Sequence, residues 1–98
     1  MTQPIYKMFY LRLTEAWFQL SKEEQDQLFG KVGDALKKVG GKTVIMCDSA
    51  WASEKWWAWG VEEFPSLEAM QEHVKLLTEL NWMRYCVSET LLGTAQQE

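Results

Sequence analysis

Apolar residues recur along this chain with two different periods, and the switches between them mark out six elements. Ile5 to Leu13 reads Ile-Tyr-Lys-Met-Phe-Tyr-Leu-Arg-Leu, aromatic and aliphatic with no Gly or Pro, which predicts a first strand. A polar and aromatic loop over 14–20 carries Trp17 and Phe18. It leads into Ser21-Lys22-Glu23-Glu24, where Ser21 is placed to accept from the Glu24 amide while the Glu24 carboxylate reaches back, so a first helix opens there. Leu28, Phe29, Val32, Leu36 and Val39 then fall at spacings of three and four and share one helical face. Gly40-Gly41 end the helix, and both are expected to supply left-handed conformations. Lys42 to Asp48 and Trp56 to Val61 are the second and third strands, joined as a hairpin across the polar stretch 49–55. After Phe64-Pro65, Ser66 caps a second helix with the stripe Leu67, Met70, Val74 and Leu77, continuing towards Leu80. Asn81 to Arg84 turns the chain, Tyr85 to Leu92 is a fourth strand, and 93–98 is a polar tail expected to fray.

The order strand, helix, strand, strand, helix, strand is the split βαβ arrangement, a ferredoxin-like α+β fold. Right-handed crossovers place the strands 4-1-3-2 in an antiparallel sheet, with both helices on one face and residues 1–98 forming a single domain. The other face needs cover as well. In the first strand Phe9, Leu11 and Leu13 lie on one side while Tyr6, Met8 and Tyr10 lie on the other; in the third, Trp57, Trp59 and Val61 oppose Trp56, Ala58 and Gly60. Strands apolar on both sides are usually buried on both sides. Two helices cover one face, so the simplest cover for the second is another copy of the chain.

Composition sharpens this expectation. Six Trp, three Tyr and four Phe in 98 residues are a heavy aromatic load for one small core, and an interface or a ligand pocket is expected to absorb part of it. Ten basic against 14 acidic residues give a net charge of −4, with both signs dispersed, which argues against nucleic acid and anionic membranes as partners. No leader pattern opens the chain and no apolar run is long enough to span a bilayer, so the expected location is the cytoplasm. Cys47 and Cys86 stand in separate apolar segments and read as small buried hydrophobes. On the two outer strands they would lie ~14 Å apart, too far for a disulfide. Gly41-Lys42-Thr43 matches the last residues of a phosphate loop, but Leu36 occupies the position of its first glycine and the segment runs from helix to strand. Metal ligands are not clustered, and no metal or other cofactor is expected.

The run Glu63-Phe64-Pro65-Ser66-Leu67-Glu68-Ala69-Met70-Gln71-Glu72-His73, following an aromatic strand, resembles the strand-to-helix junction of the dimeric α+β barrel superfamily, which includes the antibiotic-biosynthesis monooxygenase domains. A Ser-x-Glu-Ala-x-x-x-His pattern opens the second helix in these proteins; here it is Ser66, Glu68, Ala69 and His73. The segments Trp17 to Glu24 and Trp82 to Tyr85 are also similar to small bacterial proteins called darcynin-like, for which no activity is settled. The resemblance implies a homodimer whose sheets face each other, with a ligand cavity in each subunit between sheet and helices. Superfamily members include cofactor-free oxygenases, haem-degrading enzymes, isomerases and proteins without demonstrated catalysis, so the fold leaves the chemistry open.

His73 borders the second helix's stripe, where it can serve as acid or base in a cavity or simply pack as a hydrogen-bonded core histidine, the commoner role. Haem ligation by it has no supporting motif. Arg12 and Glu89, on neighbouring strands, are expected to pair, or else to orient a polar substrate. Asp48 ends the second strand in a turn or at a cavity mouth. Trp51, Trp56, Trp57 and Trp59 are core or interface anchors first and stacking surfaces for a flat ligand second. Trp17, in a loop, can cover a pocket or staple that loop, and Tyr10 can donate in a cavity or an interface. Two function classes follow. One is a dimeric protein binding a small apolar or aromatic molecule, with Tyr10, Arg12, Trp17, Asp48, Trp57 and Trp59 as candidate contacts. The other is a cofactor-independent monooxygenase or isomerase acting on an aromatic or polyketide-like molecule, with His73 as catalytic proton carrier.

Overall fold

The structure, a computed structural model, describes residues 3–96. Its central strand, β1 (Ile5–Leu13), pairs antiparallel with β3 (Ala58–Phe64) on one side and β4 (Cys86–Gly93) on the other, while β2 (Lys42–Asp48) pairs with β3. The resulting order, β2-β3-β1-β4, is the predicted one read from the opposite edge. A one-turn helix, α1 (Glu15–Phe18), follows β1; α2 (Lys22–Lys38) joins it to β2, α3 (Leu67–Glu79) follows β3, and a 3-10 turn (Trp82–Arg84) precedes β4. Among the described residues no helix is long and apolar enough to cross a membrane.

Both halves of the predicted capping box form: the Glu24 amide donates to Ser21 Oγ at 3.1 Å and the Ser21 amide to Glu24 Oε1 at 2.9 Å. At the other end of α2, Gly40 N–H donates to Lys37 O and Gly41 N–H to Leu36 O, a Schellman ending in which Gly40 alone is left-handed, at φ +77°. Gly41 is needed for space rather than conformation, since a Cβ there would sit 3.1 Å from both the Leu36 carbonyl oxygen and the Phe64 ring. Ser66 accepts from the Ala69 amide and starts α3 as expected.

Several boundaries move, for identifiable reasons. The third strand starts at Ala58, because the chain at Trp56 and Trp57 is tied to the turn below it through their carbonyls, which accept from Ser49 Oγ and Ser49 N–H. It continues past Val61 to Phe64 because Glu62 and Glu63 have partners: Glu62 is opposite Lys7, and Glu63 forms an ion pair with Lys42 at 3.5 Å. The loop over 14–20 holds α1 because Trp17, 4% exposed, packs edge-on against Trp82 and at a tilt against Phe29. On α3 the buried stripe is Met70, His73 and Leu77, while Leu67 and Val74, placed inward by the sequence pattern, are each 46% exposed.

Register assigns the two sheet faces. Lys7, Phe9 and Leu11 on β1 align with Glu62, Gly60 and Ala58 on β3 and with Leu92, Thr90 and Ser88 on β4; this is the face that α2 and α3 cover. Tyr6, Met8, Tyr10 and Arg12 point the other way, alongside Trp59, Val61, Val87 and Leu91. The core concentrates at one end of the covered face, where Trp17, Leu77, Trp82 and Cys86 pack together with Leu13, Leu20, Leu28 and Val32.

Candidate functional site

Between the sheet and the helices the packing leaves a cavity of about 210 Å³. Phe29 and Val32 of α2, Leu77 of α3 and Trp82 form much of its apolar wall, with Phe9 and Leu11 beneath. Four ionisable side chains from four elements also line it: Lys7 from β1, Glu62 from β3, His73 from α3 and Cys86 from β4. A second space of about 340 Å³ lies between α3 and β4 and shares Lys7, Leu77, Met83, Ser88 and Thr90 with the first. Lys7 thus stands where the two spaces meet.

His73 is held there by helix geometry. Three residues after Met70 and four before Leu77, it occupies the centre of the buried stripe, 2% exposed, with its ring tilted against the fully buried Phe64 at 5.1 Å between centroids. Neither ring nitrogen has a hydrogen-bond partner among the described residues. Burial, assisted by the positive charge of Lys7, pushes its pKa down to about 4, so the imidazole is neutral at physiological pH, with one nitrogen able to donate and the other to accept.

Lys7 and Glu62 are direct cross-strand partners, yet among the described residues no salt bridge joins them. Burial lowers the pKa of the Lys7 amine despite the opposing pull of Glu62, and raises that of the Glu62 carboxyl despite Lys7. Each group is therefore moved towards its neutral form. Nearby Cys86 is buried, and that burial pushes its thiol up to about 11, which leaves it a poor nucleophile. The arrangement can bind a molecule with an apolar body and a polar group. Among the described residues no group of three or more His, Cys, Asp or Glu side chains is placed to hold a metal ion.

Of the candidate catalytic and ligand-binding residues read from the sequence, the structure brings His73 alone to this cavity's lining. Trp17 stands behind the wall, in contact with Phe29 and Trp82. Trp57 packs on Phe18, ring centroids 5.9 Å apart. Asp48 is exposed at the end of β2, its Oδ1 accepting from the Ala50 amide at 3.0 Å. Tyr10, Arg12 and Trp59 lie on the opposite face of the sheet, where Tyr10 stacks on Trp56 at 5.9 Å. The expected Arg12–Glu89 pair does not form, because the register sets Arg12 opposite Val87 and Glu89 opposite Tyr10. Arg12 instead places its guanidinium 5.3 Å from the centroid of the Trp56 ring, a cation–π contact.

Lys7 and Glu62 escaped the sequence reading. The signal for Lys7 was present: it has the same parity as Phe9, Leu11 and Leu13, so a charge was heading into the covered face. Glu62 was hidden by the early end assigned to the third strand.

No protein-family model and no curated protein matches the chain. Solved structures do resemble it. A protein of unknown function from Rhodopseudomonas palustris aligns over 100% of this chain and 86% of its own, with TM-score 0.70 and 18% identity. The R173K mutant of chlorite dismutase from Candidatus Nitrospira defluvii aligns over 99% of this chain with TM-score 0.78 and 11% identity, and this chain spans 42% of its length. SnoaB, a cofactor-independent oxygenase from Streptomyces nogalater, aligns over 99% of this chain and 97% of its own, with TM-score 0.55 and 13% identity. At such identities the likeness is one of fold, a ferredoxin-like α+β fold.

Proposed function

We propose that this protein is a homodimeric α+β barrel that binds a small, largely apolar or aromatic molecule between its sheet and helices. The observation carrying this reading is the cavity itself: at about 210 Å³ it exceeds the ~150 Å³ of engineered apolar cavities that take up benzene, and apolar side chains form most of its wall. Self-association is supported by the uncovered face, where Ile45, Val87 and Leu91 are exposed beside half-buried Tyr10, Trp59 and Val61. The Cα radius of gyration, 14.1 Å against ~13 Å for a compact 100-residue domain, fits a slab with one unfilled side.

A second reading is favoured by one observation, the neutral state of His73. His73 is unprotonated at neutral pH and so keeps a free lone pair, and SnoaB is a cofactor-independent oxygenase on the same fold. His73 would then be the proton acceptor in oxygenation or isomerisation of an aromatic substrate.

Native mass spectrometry of gently purified protein tests the assembly and the binding together. A doubled mass with a retained small molecule is the expected result. A clean monomer overturns the dimer, and a cavity whose His73 and Leu77 NMR signals ignore added benzyl alcohol overturns the binding reading.

A further inference from the structure

We propose that the second copy of the chain is held in register by two reciprocal ion pairs, Arg12 of each protomer with Glu89 of the other. The inference rests on the dimer reading above and names the contact that fixes how the two sheets meet.

Strand alternation and register place four charged strand residues on the uncovered face: Arg12 on β1, Lys42 on β2, Glu63 on β3 and Glu89 on β4. Lys42 and Glu63 pair with each other within the chain, at 3.5 Å. Arg12 and Glu89 are left over, one of each sign, and among the described residues neither belongs to a salt bridge. Their surroundings are apolar. Val87 and Leu91 flank Glu89 along β4, and Tyr10 lies directly opposite it. A second copy laid on this face takes both charges out of water, which is strongly destabilising unless an opposite charge meets each of them.

Two-fold symmetry supplies those partners. Copies related by such an axis present the same patch to each other, so a residue that meets a second is answered by the second meeting the first. Arg12 lies opposite Val87, two residues along β4 from Glu89, which makes the two charges diagonal neighbours on adjacent strands. Turning that patch onto itself sets each guanidinium over the other chain's carboxylate, and one contact made twice satisfies all four charges. The axis then lies in the plane between the sheets, close to Tyr10 and Val87, each of which meets its own counterpart. Arg12 is already set for the role. Its guanidinium lies 5.3 Å from the Trp56 ring centroid, and Trp56 stacks on Tyr10 at 5.9 Å. Stacking occupies the flat face of the guanidinium and leaves the N–H groups on its edge to donate to a carboxylate.

Charge reversal in two separate proteins tests the pairing. In Arg12→Glu each inter-chain contact sets carboxylate against carboxylate, and in Glu89→Arg guanidinium against guanidinium. Each variant alone should be largely monomeric in native mass spectrometry, with its dimer dissociation constant raised about 100-fold or more. Mixed one to one, the variants should form a hetero-pair of distinct mass, because every contact between positions 12 and 89 again joins opposite charges. Pairing within one chain cannot give that result, since neither variant carries opposite charges at the two positions. Variants that dimerise as tightly as the wild type, or a mixture that yields no hetero-pair, overturn the proposal. If Arg12→Glu loses its helical circular dichroism, Arg12→Gln and Glu89→Gln form a double-mutant cycle on the dissociation constant. A double variant no weaker than either single one supports the pair, and additive losses overturn it. A wild type that stays monomeric overturns the dimer reading as well, whereas a dimer indifferent to both charges but broken by Leu91→Glu keeps that reading and removes only the ion pairs.

Discussion

His73 shows how burial alone sets the chemistry of a side chain. Its folded pKa, about 4, lies below the ordinary 6.5, so between those values the unfolded chain binds a proton that the native state resists. Stability contributed by the neutral imidazole is complete above pH 6.5 and is lost as pH falls, by about 3 kcal/mol at pH 4. Glu62 on β3 has the opposite sign, because its raised pKa makes the native state bind its proton first on acidification; Lys7 on β1 and Cys86 on β4 are the other titratable groups lining the same cavity. Comparing the wild type with His73→Phe isolates the histidine. Urea denaturation should find the variant at least as stable at pH 7, since two unpartnered nitrogens are removed, and should find its stability between pH 6.5 and 4 much flatter. A variant that keeps the wild-type slope would show that the ring is solvated. His73 was legible in the sequence as a residue near a helical stripe. Its central place in that stripe was not, because Val74 satisfies the same apolar pattern and choosing between neighbours requires knowing where Phe64 lies.

Elements were the most readable level. Ser21 and Ser66 announced their helices because capping depends on residues three apart in sequence, and β1 and β2 were delimited by breakers at their ends. Edges fixed by tertiary partners were less legible, as with Glu62 and Glu63, whose charges look like a strand end until Lys7 and Lys42 are placed beside them. Gly60 is another such case. The β2–β3 register shifts between Thr43 and Ile45, and a Cβ on Gly60 would meet Ile45 O at 2.8 Å and Phe9 Cζ at 3.0 Å. Gly60→Ala should therefore cost ~1–3 kcal/mol through overpacking, read as a lower urea midpoint at unchanged m. A neutral result would mean the β2 bulge relaxes to make room.

At the scale of the whole molecule, the sheet has one covered and one uncovered face, and the proposed dimer closes the second. Leu91 is 67% exposed on that face, and Leu91→Glu should convert the dimer to a folded monomer in light scattering with the helical circular dichroism retained. A variant that stays dimeric would place the interface elsewhere. By itself the sequence determined the element order, the strand order and the excess of apolar surface, because local period, capping and chain connectivity decide those. What only the tertiary structure decided is which residues meet. Sequence reasoning set Tyr10, Arg12, Trp17, Asp48, Trp57 and Trp59 beside His73, whereas the fold sets Lys7 and Glu62 there. Aromatic and charged residues advertise chemistry from any position along a strand, but a one-residue change of parity sends a side chain to the opposite face, and that parity acquires meaning once the helices have chosen a side.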